Sequence, residues 1–367
     1  MYEVIDGDRI SASSPSQGSA RMTFNVAIAG TGSFLPKKAI PNAELYSRVR
    51  NVDIARIREF CKKRDIPYES MSEAELFDLW VERVTGIVSR RHITADDALP
   101  EYAEVETMAA HAAREAIKDA VIGTDAIDYV IAATFTARTL IPNPACTLTN
   151  LLSIPKAGGI TINTACSGFL DALIDAYAKI RAGIYRTVLV VSSEFISNIL
   201  DFDDPTTAIL FGDGAGACIL TRSEKPGIDG VFSQARYSAE HITMRSGSRI
   251  IMGGGPLVQR NAVNAMFDAA TAAAARSDRT LNDYDFIIPH QANGRIMSEL
   301  AKKMAIPETK MPSVINTLGN MSCASIPVTL DRLRKGNLEG YSYKPGARIL
   351  LTAVAGGYSI AGVSCTL

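Results

Sequence analysis

Ile162-Asn163-Thr164-Ala165-Cys166-Ser167-Gly168-Phe169 is the stretch on which the reading of this chain turns. Its apolar start reads as a short buried strand and its small residues as a sharp turn. A helix follows from Ser167 to about Ala182, with Phe169, Leu170, Leu173, Ile174, Tyr177 and Ile180 at helical spacing. The cysteine therefore stands at a helix N-terminus. Unpaired amide N–H groups and the positive end of the dipole meet it there, and both favour thiolate over thiol. Ala165, Ser167 and Gly168 are small enough to let a carbonyl approach the sulfur. The stretch predicts a nucleophile with a lowered pKa. A cysteine packed inertly into a strand–helix corner fits these eight residues equally well, so the rest of the chain has to decide.

Composition narrows the classes. The chain has 367 residues, is 47% hydrophobic and 21% charged, and carries a net charge of -1, which gives no basis for a nucleic-acid or membrane-surface partner. Apolar runs such as Tyr129–Phe135 and Thr187–Val191 are too short to span a bilayer. Residues 1–22, rich in Ser, Gly and charge, read as a mobile tail rather than a secretory signal. The cysteines at 61, 146, 166, 218, 323 and 365 form no CxxC pair, which argues against a metal site and a disulfide scaffold and for a reduced, cytoplasmic protein.

Read in order, Phe24–Ala29 is a strand running into Gly30-Thr31-Gly32-Ser33. A dinucleotide loop is rejected there, because the third glycine is missing and Pro36 stands where a helix should run. Residues 43–83 read as charged and helical up to Trp80, the only tryptophan. Thr85-Gly86-Ile87 opens a turn bearing Arg90, Arg91 and His92; an alanine-rich helix spans about 104–121, and Tyr129–Ala133 is a strand. Strands follow at Val188–Ser192 and Ala217–Leu220, with Gly212–Gly216 between them read as a tight backbone crossing. The second half repeats the theme: Asp285–His290 echoes Asp128–Ala133, Ile315–Asn320 echoes Ile162–Cys166, and Arg348–Val354 echoes Thr187–Ser192. Two strand–helix halves of similar order imply helices layered between sheets. They make the Cys166 and Asn320 corners mates, and place His290 just past a strand's carboxyl end, where α/β sites lie.

Thr-Ala-Cys166-Ser-Gly, Pro-His290-Gln-Ala-Asn293-Gly-Arg295 and Leu-Gly-Asn320-Met-Ser-Cys-Ala-Ser, with Phe211-Gly-Asp-Gly-Ala-Gly216 and Gly356-Gly357, come in the order of a known family. From about residue 24 onward the chain resembles the 3-oxoacyl-(acyl-carrier-protein) synthase III family of the thiolase superfamily. The resemblance implies an α/β, thiolase-like fold of two pseudo-symmetric βαβαβαββ halves in a five-layered α-β-α-β-α arrangement. The halves are expected at 23–225, carrying Cys166 and an extended helical segment at about 47–78, and at 226–367, carrying His290 and Asn320. It implies Cys166, His290 and Asn320 as catalytic residues, and backbone N–H groups of Cys166 and Gly357 as the oxyanion hole. Trp80, Ile141, Asn293 and Arg295 become substrate-binding residues. The reaction implied is loading of an acyl group from a thioester onto Cys166, then decarboxylative condensation with a malonyl thioester, in fatty-acid or specialised-metabolite biosynthesis. Partners would be an acyl carrier protein, acyl-coenzyme A or carrier-protein thioesters and a second copy of the chain; no cofactor and no metal are expected.

Two charged grips on coenzyme A are replaced, one by Val84 beside Arg83 and the other by Pro205, and the aromatic residue expected near Gln259 is missing. The donor entrance is therefore expected to be rebuilt, and Ile141 leaves room for more than an acetyl group. The alternative is a relative that passes the acyl group to another nucleophile. A papain-like hydrolase would carry its cysteine near the mature N-terminus, and a dead partner subunit would have lost it. His92 is expected at the surface, and His111 and His241 without a catalytic role; the other cysteines are expected to be packing residues, with Cys323 closest to the candidate site.

Overall fold

The computed structural model describes residues 23–238, 242–245, 247–253 and 255–367. The expected tail at 1–22 and His241 lie outside the described residues. The first half runs β1 (Asn25–Phe34), β2 (Ala39–Pro41), α1 (Asn42–Tyr46), α2 (Ile54–Lys62), α3 (Glu73–Thr85), β3 (Ser89–Arg91), α4 (Glu104–Asp119), β4 (Tyr129–Ala133), α5 (Pro144–Leu151), β5 (Gly158–Ile162), α6 (Gly168–Arg181), β6 (Thr187–Glu194), α7 (Pro205–Ala208) and β7 (Gly214–Ser223). The second runs β8 (Ile228–Ser238), β9 (Ile242–Thr243), β10 (Ile251–Met252), α8 (Gly255–Ala275), β11 (Phe286–Pro289), α9 (Gly294–Met304), α10 (Ile315–Leu318), α11 (Ser325–Arg334), β12 (Arg348–Ala355) and β13 (Gly357–Thr366).

Beside the two-stranded pairs β2-β3 and β9-β10, two main sheets result, ordered β1-β7-β6-β4-β5 and β11-β12-β13-β8. Between them lie α6 and α11, whose Phe169, Leu173, Ile326 and Leu330 share one apolar cluster with Ile131 and Val190 of the first sheet and Leu351 and Val363 of the second. Ala112 and Ala116 of α4 with Leu148 of α5 cover the outer face of the first sheet; Met266 of α8 and Leu300 of α9 cover that of the second. The order is helix, sheet, helix, sheet, helix, the five-layered thiolase-like arrangement. Residues fully buried on both sheet faces, such as Val188–Val191, explain why the strands read as continuous apolar runs.

The Gly30–Ser33 stretch is not a loop but the second half of β1. A Cβ on Gly30 or Gly32 would come within 2.3 Å or 2.1 Å of the Ala116 or Ala112 carbonyl, so these glycines let α4 lie directly on the strand. The segment at 47–78 forms α2 and the first half-dozen residues of α3. Leu45, Ile57, Cys61, Leu76, Phe77 and Val81 pack there on Ala208 and Ile209. Ser72 and Glu75 form a capping box at the start of α3, and Gly86, at φ 74°, ends it.

The two corners are mates, but in a different register from the sequence echo. Ala165 (φ 46°) begins a 3₁₀ turn through Cys166 into α6; Ser322 (φ 49°) begins the same turn through Cys323 into α11. Asn163 Oδ1 accepts from Ala165 N, and Asn320 Oδ1 from Ser322 N. Cys166 therefore corresponds to Cys323, and Asn320 to Asn163. The short helix α10 occupies the four residues that displaced the echo.

Candidate active site

Both turns open on one cavity of about 590 Å³, within the usual range for a ligand site. Cys166, His290 and Asn320 line it together, with Asn163, Ser322 and Asn293. Much of the remaining wall is apolar and includes Phe135, Leu210, Phe211, Ile242 and Met252.

Each polar group is held from behind. Asp171 in α6 accepts from Thr164 Oγ1 at 2.7 Å and Ser167 Oγ at 2.8 Å, on either side of the nucleophile turn, and from Ser233 Oγ at 2.9 Å, which ties the turn to the second sheet. Ser322 Oγ lies 3.4 Å from Cys166 Sγ, so the two turns meet at the sulfur. His290 follows β11, with its backbone N–H donating to Thr352 O at 2.8 Å; its ring Nδ1 is buried without a hydrogen-bond partner among the described residues. Asn320 is fixed by its own amide: Oδ1 accepts from Ser322 N at 2.8 Å, and Nδ2 donates to Ala292 O at 3.3 Å. That assigns which end is nitrogen and leaves its second N–H unused. Gln291 is structural, donating to Pro289 O and accepting from Ser313 Oγ and Val314 N.

The electrostatics reverse the expectation for the thiol. Burial pushes Cys166 up to about 11; the Ser322 hydroxyl opposes this and the Glu194 charge adds to it. Burial also holds His290 down at about 4, with the Ser322 backbone partly offsetting it. At neutral pH the pair is thiol and neutral imidazole, not thiolate and imidazolium.

Glu194, the last residue of β6, is a group that strand patterning hides. It is fully buried and forms no ion pair among the described residues; it accepts from Thr134 Oγ1, Thr136 Oγ1, Phe135 N and, at 3.0 Å, Cys323 Sγ. Burial raises it to about 7 against those donors. A carboxyl raised on folding contributes stability that is full below the ordinary carboxylate range and is lost as pH rises through about 7. Glu194→Gln should therefore flatten the change in unfolding free energy between pH 5 and pH 8 by an amount on the order of 3 kcal/mol. Denaturant titration of both proteins at the two pH values measures it. Equal changes in variant and parent would refute the shift.

The other expected substrate residues separate. Asn293 lines the cavity and caps α9, accepting from Ile296 N at 2.9 Å. Arg295 is exposed and donates to Arg83 O at 3.0 Å, joining α9 to α3. Trp80 is half-buried, its ring 6.0 Å from that of Phe77, inside the cluster that holds α3 in place. Ile141 is 92% exposed beside the 75%-exposed Leu140 and lies outside the cavity wall of this single chain. The backbone of Gly356, next to Gly357 at the tip of the β12–β13 hairpin, does reach the wall. Of the crossing expected at Gly212–Gly216, Gly212 makes the close approach, a Cβ there lying 2.2 Å from Leu318 O, with Gly319 opposite at φ 69°; Gly214 and Gly216 instead lie at the start of β7. His92, expected at the surface, is instead buried, because Arg48 and Phe202 from distant segments close over it. His111 is exposed on α4, its ring stacked on Phe34 at 5.1 Å. All six cysteines are free.

Residues 160–236 match the family model for 3-oxoacyl-[acyl-carrier-protein (ACP)] synthase III, and residues 274–367 match the model of its C-terminal part. The 3-oxoacyl-[acyl-carrier-protein] synthase III of Aquifex aeolicus VF5 is 31% identical, with a TM-score of 0.80, over 93% of this chain and all of that one. The priming β-ketosynthase of the R1128 polyketide biosynthetic pathway is 27% identical, with a TM-score of 0.81, over 96% and 99%. A single-residue variant of OleA from Xanthomonas campestris shares the fold at 19% identity and a TM-score of 0.76, over 95% of this chain and all of that one.

Proposed function

We propose, from the premise that this chain belongs to the 3-oxoacyl-[acyl-carrier-protein] synthase III family, that it loads an acyl group onto Cys166 and condenses it with a malonyl thioester. The observation that carries this reading is a single cavity receiving one thiol, one neutral imidazole and one amide whose N–H is oriented by its neighbours. As Cys166 sulfur bonds to the acyl carbon, His290 takes its proton and returns it to the departing thiol. Backbone N–H groups at Cys166 and the Gly357 hairpin would hold the oxyanion. A malonyl thioester then breaks its bond to the carboxylate. Carbon dioxide leaves, and the electron pair stays as an enolate whose oxygen is met by N–H donors of His290 and Asn320. The enolate carbon attacks the acyl carbonyl and the Cys166 thiolate is expelled, to be reprotonated. The pathway, fatty-acid or specialised, and the cytoplasmic setting belong to this proposal. So does an acyl carrier protein as partner.

The donor is proposed to be bulkier than acetyl or bound to a carrier protein. Val84 packs within the α3 cluster and Pro205 opens α7, so neither supplies a charge. Arg90 and Arg91 cannot replace the lost grips: both spend their guanidinium groups on backbone carbonyls, of Ile40 and Ile209 and of Pro36 and Lys37. A lost charge-assisted hydrogen bond is worth about 1.5–3 kcal/mol. Intact-mass measurement with a panel of acyl-coenzyme A and acyl-carrier-protein thioesters tests the loading. A clear preference for acetyl-coenzyme A over every longer or carrier-bound donor would overturn this part. Product analysis after malonyl addition separates condensation from transfer to another nucleophile.

A homodimer is part of the same proposal. Strand β5 stands at the edge of its sheet with Ile160 and Ile162 half-buried, and Leu140 and Ile141 lie exposed on the loop before α5. An apolar edge of this kind needs a partner. Light scattering at micromolar concentration should give twice the chain mass; a monomer would exclude the dimer.

A further inference from the structure

The backbone from Ile209 to Asp213 is gripped from two sides in alternation. Ile209 O accepts from Arg90 Nη2 at 2.7 Å, Phe211 O lies 3.1 Å from His92 Nε2, and Asp213 N donates to Arg91 O at 2.7 Å. The residues between face the other way: Leu210 O accepts from Asn320 N at 2.9 Å, and Gly212 N donates to Asn320 O at 3.0 Å. This is the two-residue period of a strand. Asn320 is thus seated on a short ribbon whose far edge is held by Arg90, Arg91 and His92.

The His92 contact is set from further out. Arg48 Nη1 lies 3.0 Å from His92 Nδ1. A guanidinium can only donate, so Nδ1 accepts and the ring proton sits on Nε2, aimed at Phe211 O. Arg48 follows α1 and is itself fixed: its guanidinium lies 4.6 Å from the centre of the Phe202 ring, and the next-but-one residue donates from Arg50 N to Phe202 O at 2.7 Å.

We propose that His92, held in its Nε2–H form by Arg48, is a positioning residue for Asn320, and that it couples the added helical segment to the decarboxylation half-reaction. The proposal rests on the reading of Asn320 as a donor to the enolate. Burial, with the charges of Arg48 and Arg90, keeps the ring neutral, down at about 3, so the Nε2–H donor persists across the working pH range.

The test uses the full-length protein and separates two rates: loading of Cys166 from the hexanoyl thioester of N-acetylcysteamine, and carbon dioxide release when the loaded enzyme meets malonyl-coenzyme A. His92→Leu and Arg48→Met should leave loading within about twofold and slow decarboxylation by about ten- to a hundredfold, the cost of a small misplacement of a reacting group. His92→Gln keeps one acceptor for Arg48 and one donor for Phe211 O, and should recover most of the rate. Equal loss of both half-reactions in His92→Leu would make the role merely structural and overturn the proposal. Asn320→Ala run beside it separates the two failures. If that variant slows decarboxylation selectively and His92→Leu does not, the positioning role falls alone. If Asn320→Ala shows no selectivity, the underlying reading falls and takes the proposal with it. Nitrogen-15 spectra of the unmutated protein should show His92 as the neutral Nε2–H tautomer at pH 7; a proton on Nδ1 would also overturn it.

Discussion

Cys166→Ala is expected to leave no acyl-enzyme with any thioester donor and no condensation. The fold also carries its own control. Cys323 occupies the mate position, three residues past Asn320, in a turn of the same shape. Its sulfur is sealed against Glu194 and the Ala133 carbonyl, and burial and the Glu194 charge push its pKa well up. Cys166 instead opens on the cavity beside the Ser322 hydroxyl. With its pKa pushed up to about 11 by burial, Cys166 is predominantly thiol at pH 7. Proton removal must therefore accompany attack, and simple alkylation of Cys166 by iodoacetamide should rise steeply with pH up to that range. Intact-mass analysis is decisive: an acyl adduct that survives in Cys166→Ala would sink the assignment.

Asn320→Ala and His290→Ala should divide the reaction. A donor that acts only on an enolate contributes nothing until carbon dioxide leaves. Losing one such donor costs about a hundred- to a thousandfold in rate. Asn320→Ala should take that loss in condensation and little in loading. His290→Ala should lower both, because the Cys166 proton has nowhere else to go, with the larger loss still in decarboxylation. His290, held down at about 4, stays neutral and a competent N–H donor at pH 6–8, so decarboxylation should not fall between those values through His290 titration. Single-turnover loading and carbon dioxide release measure the two steps. An Asn320→Ala variant that blocks loading as severely as condensation would show the division to be wrong.

How much of this was legible depended on how local each feature is. The Cys166 turn, the strand before His290 and the layered halves are written in contiguous residues, and each forms as its stretch predicts. The direction of the Cys166 shift was not legible, because desolvation depends on the walls of the cavity, which come from segments as distant as Ile242 and Met252. His92 follows two arginines and so looks like surface; its burial is made by Arg48 and Phe202, 44 and 110 positions away. Glu194 ends a strand that is apolar as far as Val191, and only the fold shows that its donors are Thr134, Thr136 and Cys323. The pairing of Asn320 with Asn163 was hidden by α10, which shifts the second half by four residues against the first.

The alternating ribbon at Ile209–Asp213 has a consequence for how such a protein can change over generations. Its hold on Asn320 is made by main-chain atoms, which most single substitutions leave intact. Leu210 and Phe211, whose side chains face the cavity, are therefore free to be exchanged, reshaping the acyl-binding wall while the asparagine stays in its seat. Gly212 is the exception, since any Cβ there meets the Leu318 carbonyl. Length is another matter. Adding or deleting one residue would turn every carbonyl to the opposite side, offering His92 and Arg90 the groups meant for Asn320. Lineages that diversify in substrate should vary at Leu210 and Phe211, keep Gly212 and the buried Asp213, and never change the number of residues in this ribbon.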